Sequence, residues 1–477
     1  MLVPLASLLP AGDVRQPVMC PPGTSLKQAL SEMQRRGVGS IVIATAAGRA
    51  MGILTERDLL RHTVAGRIDL EAPVDLYMTS DPVGLPAEAT LWDAALTMAR
   101  HGIRHLLITD QERIAGVVSE RGLFALQRRL PVQVIRAIEL AEDEAALVEA
   151  AARIRQLART LLSQGFGAEQ LTQLIVVLND RLVGRVIAIE QARHGLQDGR
   201  DGQAAIRYCW LALGSEGRRE QTFSTDQDNA LVFDAGKSDA NALRARLLPF
   251  ARAVNRLLDA CGFPLCRGGI MAGNPMWCLS VQEWREAFAL WMRAPTPQAL
   301  LNAVIFFDFR ALHGDAELAE DLRRWLSKQL HGNERFLRML AESALATRPP
   351  LGLFGNIAPS GGSLDLKAQG TRLFVDAARV LALATGSEAT NTAGRLREAL
   401  SAAGAARQEI EAAAGAFQFL LLLRLRQQQP QGGDGGQVSG ANQLDPSRLN
   451  DLDRRILKES FYQARQLQRR LALDYRM

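Results

Sequence analysis

YCWLALGSEGRREQTFSTDQDNALVF, residues 208–233, is the stretch on which the reading turns. Tyr208 to Leu213 is an unbroken apolar run and reads as a buried strand. Gly214-Ser215 ends it sharply. A polar turn or short helix follows from Glu216 to Thr225, and Asp226-Gln227-Asp228 opens a second strand, Asn229 to Phe233. Alternate residues of a strand share a face, so Asp226 and Asp228 project together. Two neighbouring carboxylates repel unless a cation lies between them, and Mg²⁺ takes carboxylate, water and phosphate oxygens. A strand that ends in Gly-Ser lets backbone N–H groups and one hydroxyl come close to phosphate oxygens. A lone DxD is common. Gly-Ser, ten residues and then DxD between two strands is far more specific.

On the C-terminal side, residues 261–280 (CGFPLCRGGIMAGNPMWCLS) contain no acid; Glu283 follows, and Asp308 lies in IFFDFRALHGD. Successive amphipathic helices are expected over Pro297 to Phe306, Ala316 to Leu330, Asn333 to Ala346, Gly370 to Ala384 and Thr392 to Leu400. A Pro/Gly-rich loop interrupts them from Arg348 to Ser363, and residues 427–441 are low-complexity. The last helix puts Ile456, Leu457, Phe461, Ala464, Leu467 and Leu471 on one face. On the N-terminal side, residues 130–200 show helical periodicity with no strand signal. Asn179 and Asp180 break an apolar run there. They read either as helix-surface residues, the blander choice, or as contacts to the following domain.

The first 130 residues repeat. GVGSIVIATAAGRAMGILTERDLLR from Gly37 aligns with GIRHLLITDQERIAGVVSERGLFAL from Gly102, with one residue of slip in the turn. Each copy reads helix, strand, turn, strand, helix, which points to two copies of one unit packed face to face.

Of the 477 residues, 56 are Lys or Arg and 51 Asp or Glu, for a net charge of +5, and 47% are hydrophobic. Global disorder is excluded. So weak a positive surplus, with 5% aromatics, speaks against a nucleic-acid track. Five unpaired cysteines without a CxxC argue against a disulfide framework or a zinc ribbon, and point to a reducing cytoplasm. No apolar run reaches the length of a membrane span; the longest, Phe417 to Leu423, ends at Arg424. The N-terminus lacks the basic region of a signal peptide.

The repeat resembles a tandem pair of CBS domains, a βαβ-type unit whose family commonly binds adenine nucleotide between its copies. The resemblance implies that Thr55 meets phosphate and Asp58 the ribose hydroxyls. In copy two Ser119 matches, but Gly122 replaces the acid, so at most one well-formed nucleoside site is expected, around Thr55 and Asp58. The central stretch is similar to the DNA polymerase β-like nucleotidyltransferases, and within them to those related to the N-terminal part of protein-PII uridylyltransferase. That resemblance carries the phosphate-binding pair to Gly214 and Ser215 and the metal-binding pair to Asp226 and Asp228. Arg218 either holds a phosphate or belongs to a solvated turn. The third carboxylate of many members has no obvious match. Asp365, Lys367, Gly370, Arg372, Asp376 and Arg379 resemble motifs of the helical substrate-binding domain paired with these transferases. Lys367 and Arg379 there either reach an anionic substrate or form helix-surface ion pairs.

The expected fold is α+β and multidomain: a CBS pair over residues 1–129 (about 10–67 and 74–129), a helical connector over 130–200, a polymerase-β-like α/β transferase domain over 201–330 and an all-α C-terminal domain over 331–477. The expected function is Mg²⁺-dependent transfer of a nucleotidyl group from an NTP to a protein or small-molecule hydroxyl, under control of adenine nucleotide at the CBS pair. A PII-like protein is the candidate acceptor, and a homodimer through the CBS pair is a further expectation. The alternative is a non-catalytic nucleotide-sensing signal protein.

Overall fold

The computed structural model describes residues 17–89, 91–110, 113–119, 131–196, 206–352, 356–358, 362–429 and 441–477. Gly122 and most of the low-complexity stretch 427–441 lie outside them. The chain separates into two compact units, Met1–Gln133 and Val134–Met477.

In the first unit, β1 (Met19–Cys20), α1 (Leu26–Arg36), β2 (Ser40–Ala44), β3 (Ala50–Thr55), α2 (Glu56–Val64) and β4 (Thr79–Ser80) form one copy of the repeat. The second holds β5 (Gly84–Pro86), α3 (Leu91–His101), β6 (His105–Asp110) and β7 (Arg113–Ser119). The sheets run β1-β2-β3-β4 and β5-β6-β7. Ser40 pairs with Thr55 in one and His105 with Ser119 in the other, so the repeat seen in the sequence is a repeat of strand register. Ser25 caps α1, and Gly37 closes it at φ 59°, in the left-handed region that glycine tolerates. Leu26, Ala29 and Met33 are buried beneath β2, as their spacing predicts. Val42 and Ile53 of copy one meet Leu107 of copy two, which packs the two sheets face to face.

The second unit opens with a helical hairpin, α4 (Glu144–Ser163) and α5 (Ala168–Arg193). A four-stranded sheet of order β10-β9-β8-β11 follows: β8 (Tyr208–Ala212), β9 (Asn229–Phe233), β10 (Cys278–Ser280) and β11 (Arg310–Gly314). Every residue of β8 and β9 is buried. Between them lies the short helix α6 (Gly214–Gly217), and around the sheet lie α7 (Ala240–Ala260), α8 (Val281–Arg293), α9 (Pro297–Phe306) and α10 (Ala316–Leu330). The C-terminal part is α11 (Glu334–Leu345), α12 (Arg372–Thr385), α13 (Thr392–Ala402), α14 (Arg407–Gln427) and α15 (Asp451–Asp474). Two features there had no sequence signal: β12 (Leu364–Asp365) pairs with β13 (Gln443–Leu444), and a π-helix, Leu366–Thr371, leads into α12. One core joins α4 and α5, the sheet and the C-terminal helices, through Ala158, Cys209, Phe306, Phe374 and Phe461 among others. Trp277 and Trp284 stack within it. The apolar run of α14 is buried in this core, and among the described residues no helix is long and apolar enough to cross a membrane. On α15 the expected apolar face is buried except Ile456, which is 37% exposed.

Candidate active site

Asp226, Gln227 and Asp228 precede β9 rather than lie in it, yet they keep the alternation expected of a strand: Gln227 is buried, Asp226 exposed and Asp228 partly buried. The inward residues explain why. Gln227 donates to the carbonyls of Asn255 (2.9 Å) and Phe263 (2.8 Å) and accepts from Asn255 Nδ2 (2.8 Å). Asn229 Oδ1 accepts from Asn255 Nδ2 (3.0 Å) and from the Ala272 amide (2.8 Å). A buried amide network this well satisfied holds a single arrangement. It pins the two residues that point inward and so aims the two acids outward.

Gly214 stands at φ 53°, and a β-carbon there would lie 2.9 Å from Asp228 Oδ2. The Gly-Ser turn and the DxD are therefore in contact. The Leu213 amide donates to the Asp228 carbonyl (2.9 Å), which closes the same corner. Burial pushes the Asp228 carboxyl above its ordinary range, and neighbouring Asp226 adds to this. The Cys266 thiol, which hydrogen-bonds Asp228, and the charge of Lys367 act against it. Cys266 is thus a hydrogen-bond partner of the acid pair. Lys367, exposed on the π-helix, is brought from the C-terminal helices to the acid pair. Among the described residues no three His, Cys, Asp or Glu side chains cluster as a metal cage. The pair fits a Mg²⁺ ion that takes its remaining oxygens from water and phosphate.

Arg218 and Arg379 do not present free guanidinium groups. Arg218 binds Asp308 (2.7 Å) and Glu220 (3.0 Å), so the residues expected in a solvated turn form a buried ion cluster instead. Arg379, expected to reach a substrate or sit on a helix surface, is 4% exposed and binds Asp308 (2.7 Å) and Asp376 (2.7 Å). Arg395 completes the cluster on Asp308 Oδ1 at 2.5 Å. Burial works to raise the Asp308 pKa, and the charges of Arg379, Arg395 and Arg218 overturn that and hold it well below the ordinary carboxylate range. Asp308 is therefore the counter-ion of three arginines and is not a third metal-binding acid. Glu220 also accepts from the Thr392 amide at the start of α13, which ties the Gly-Ser turn to the C-terminal helices.

One more residue near the acids, Glu216, had little sequence signal. Glu216 is buried, its Oε1 has no hydrogen-bond partner, and burial pushes its pKa up to about 8, with Arg310 opposing and Asp180 and Asp228 adding. Asp180 on α5 binds Arg310 at 2.6 Å, and Asn179 donates to buried Gln221 at 3.0 Å. These two are contacts to the transferase domain, Asp180 to β11 and Asn179 to the turn before Asp226, not the helix-surface residues favoured from sequence. The signal was there: both are polar within an apolar run.

In the N-terminal unit Thr55 caps α2. Its hydroxyl donates to Asp58 Oδ2 (2.7 Å), which also accepts the Thr55 amide (3.0 Å). The two residues expected at a nucleoside site are thus side by side, already hydrogen-bonded to each other. Ser119 holds the corresponding place at the end of β7. His105 of copy two lies close enough to Glu56 and Asp58 for their charges to raise its pKa, although burial outweighs them.

Residues 152–298 match the family described as "Putative nucleotidyltransferase DUF294", residues 334–475 match "Putative nucleotidyltransferase substrate binding domain", and residues 11–65 and 74–129 each match the CBS domain. An uncharacterized 17.7 kDa protein of Acidianus ambivalens is 35% identical over 103 residues, which is 21% of this chain and 62% of that protein. The CBS domain-containing protein YhcV of Bacillus subtilis is 35% identical over 98 residues, 20% of this chain and 69% of that one. The A-adding tRNA nucleotidyltransferase of Aquifex aeolicus is 24% identical over 95 residues, 20% of this chain and 11% of the enzyme. Among solved structures, a CBS domain protein from Pyrobaculum aerophilum complexed with AMP is 29% identical, covers 25% of this chain and 89% of that one, and has a TM-score of 0.23. The chain belongs to the CBS domain-containing proteins, and joins its CBS pair to a domain of the DUF294 nucleotidyltransferase family and to that family's substrate-binding domain.

Proposed function

We propose that the second unit transfers a nucleotidyl group from an NTP to an acceptor hydroxyl, and that the CBS pair reads adenine nucleotide. The observation that carries the reading is the contact between the Gly214-Ser215 turn and an acid pair whose inward neighbours are locked. Asp226 and Asp228 would hold Mg²⁺, which when bound neutralises phosphate charge and aligns the reacting groups. Gly214 and Ser215 hold the triphosphate with backbone N–H and hydroxyl. Lys367, whose charge reaches Asp228, supplies a point charge for a phosphate oxygen. Arg218 and Arg379 position the Gly-Ser turn through Asp308 and make no contact with the nucleotide. The acceptor oxygen forms its bond to the α-phosphorus, the bond to the bridging oxygen breaks, pyrophosphate leaves, and the acceptor proton passes to solvent. In the finer version the donor is UTP and the acceptor a tyrosyl hydroxyl on a PII-like protein.

Calorimetry with ATP, UTP, GTP, CTP and AMP, with and without Mg²⁺, tests both sites. One NTP is expected to bind only with Mg²⁺, with that binding lost in Asp226→Ala/Asp228→Ala. AMP binding is expected to be lost in Asp58→Ala alone. The lack of a third metal-binding acid among the described residues favours a second reading, a non-catalytic nucleotide sensor. It is the outcome if all binding follows Asp58 and none follows the acid pair.

A further inference from the structure

Helix α15 buries Leu457, Phe461, Ala464, Leu467 and Leu471 in the C-terminal core. On its outer side a helical period recurs with another kind of residue. Arg455, Lys458, Tyr462, Arg465 and Arg469 follow one another at alternating steps of three and four residues. That spacing keeps them in one row, which runs about 21 Å along the axis at about 1.5 Å per residue. Arg455 and Arg469 are exposed, and Lys458 and Arg465 are partly buried. The latter two flank the Tyr462 ring, with Lys458 Nζ 5.9 Å and Arg465 Cζ 5.6 Å from its centre. Among the described residues none of the four cations has a carboxylate within ion-pair distance. The arginines beside the row do: Arg454 binds Asp451 (3.2 Å) and Arg470 binds Glu409 (3.5 Å). A bare leucine stands near each end of the row, Leu452 before Arg455, 67% exposed, and Leu473 after Arg469, 79% exposed.

Like charges three and four residues apart on a helix repel, so this row weakens the helix that carries it. Water and salt screen that cost without removing it. Cations in line, without acids of their own and bounded by apolar side chains, complement a row of acids bounded in the same way. Two features set a protein partner above a nucleic acid. The one aromatic of the row is flanked by cations, where a stacking platform offers bare ring faces to bases. The end leucines suit an apolar contact and have nothing to offer a phosphate backbone. A straight row at steps of three and four is met most simply by another helix, whose side chains recur at the same steps. We propose that this face of α15 docks a helix of a partner protein whose Asp and Glu side chains form a matching acidic row. Neither the acid pair nor the CBS pair takes part, so the docking face stands independently of the transferase reading.

Fluorescence anisotropy on the full chain at low salt reads the docking. The probe is a labelled alanine-based peptide whose glutamates recur alternately three and four residues apart between two leucines. The comparison probes are a peptide of the same composition with its glutamates in one run, and an oligouridylate of the same charge. The first peptide is expected to bind most tightly. Its dissociation constant should rise about tenfold or more in Arg455→Gln/Lys458→Gln/Arg465→Gln/Arg469→Gln, since several exposed ion pairs are lost together. Arg455→Gln/Arg469→Gln, limited to the exposed members of the row, should give a smaller rise of the same sign. Arg67→Gln/Lys237→Gln/Arg256→Gln/Lys328→Gln removes as many exposed cations elsewhere and should bind as the unaltered chain does. A thermal melt checks that each variant folds. An acidic helix as partner is overturned if the first peptide does not bind, if the two peptides bind alike, or if the row variants weaken binding no more than the variant altered elsewhere. Tighter binding of the oligouridylate would overturn it too, and would mark a nucleic-acid surface instead.

Discussion

Glu216 follows Gly214 and Ser215 directly, yet its side chain turns into the protein, and its Oε1 meets no donor. Its folded pKa of about 8 lies above the ordinary value of 4.5. Between those values the unfolded chain gives up the proton and the folded chain keeps it. Stability from this group is therefore full below the ordinary value and is lost as pH rises toward 8. Glu216→Gln keeps the shape and removes the charge. The variant is expected to be more stable than the unaltered chain by roughly 1–3 kcal/mol at pH 8 and equal to it near pH 4.5. Urea unfolding at the two pH values checks this, and an equal difference at both would contradict it. Asp226, Asp228, Gly214 and Ser215 were legible because a strand's alternation and a glycine turn are local patterns. Glu216 was not, because a carboxylate beside a turn is ordinarily solvated, and only the packing of α5 and β11 over it buries it.

The segments that meet at Asp308 are the turn after β8, the link from α9 to β11, and helices α12 and α13. Their cohesion runs through one carboxylate, whose three arginines lie 71 to 90 residues away in the chain. Such a cluster gives little net stability when complete, but breaking it strands buried charge. Asp308→Asn is expected to lower unfolding stability by about 3–5 kcal/mol. A loss below about 1 kcal/mol in urea unfolding would mean that water or another acid reaches the arginines. Gly217 belongs to the same joint, since a β-carbon there would run into the Asp308 carbonyl oxygen. The π-helix belongs to this level too. Asp365 caps it by accepting the amides of Lys367 and Ala368, both at 2.8 Å. The sequence showed a helix from Gly370; the wider turn before it, which puts Lys367 at the acid pair, has no periodicity of its own to read.

The chain's division at Gln133 predicts two unfolding events, since each unit has its own core. In differential scanning calorimetry a fragment of residues 134–477 is expected to melt at the temperature of one of the two transitions of the full chain. AMP is expected to raise only the other. A single transition sensitive to AMP would show instead that the units unfold together. The repeat that defines the first unit was readable because it recurs in composition and spacing within 130 residues. Local order was likewise enough for the helices of the C-terminal part: Pro297–Phe306 and Ala316–Leu330 begin and end where their caps and periodicity place them. What no local pattern carried was the state of each arginine. Arg218, Arg379, Arg155 and Arg159 look alike in the sequence, as cations on helices or turns. Long-range packing gives the first two a shared counter-ion in Asp308 and turns Arg155 onto the Cys261 carbonyl and Arg159 over the Phe223 ring. Whether a charge is neutralised within the fold depends on burial and on partners up to about 100 residues distant, and those distances close only in the folded chain.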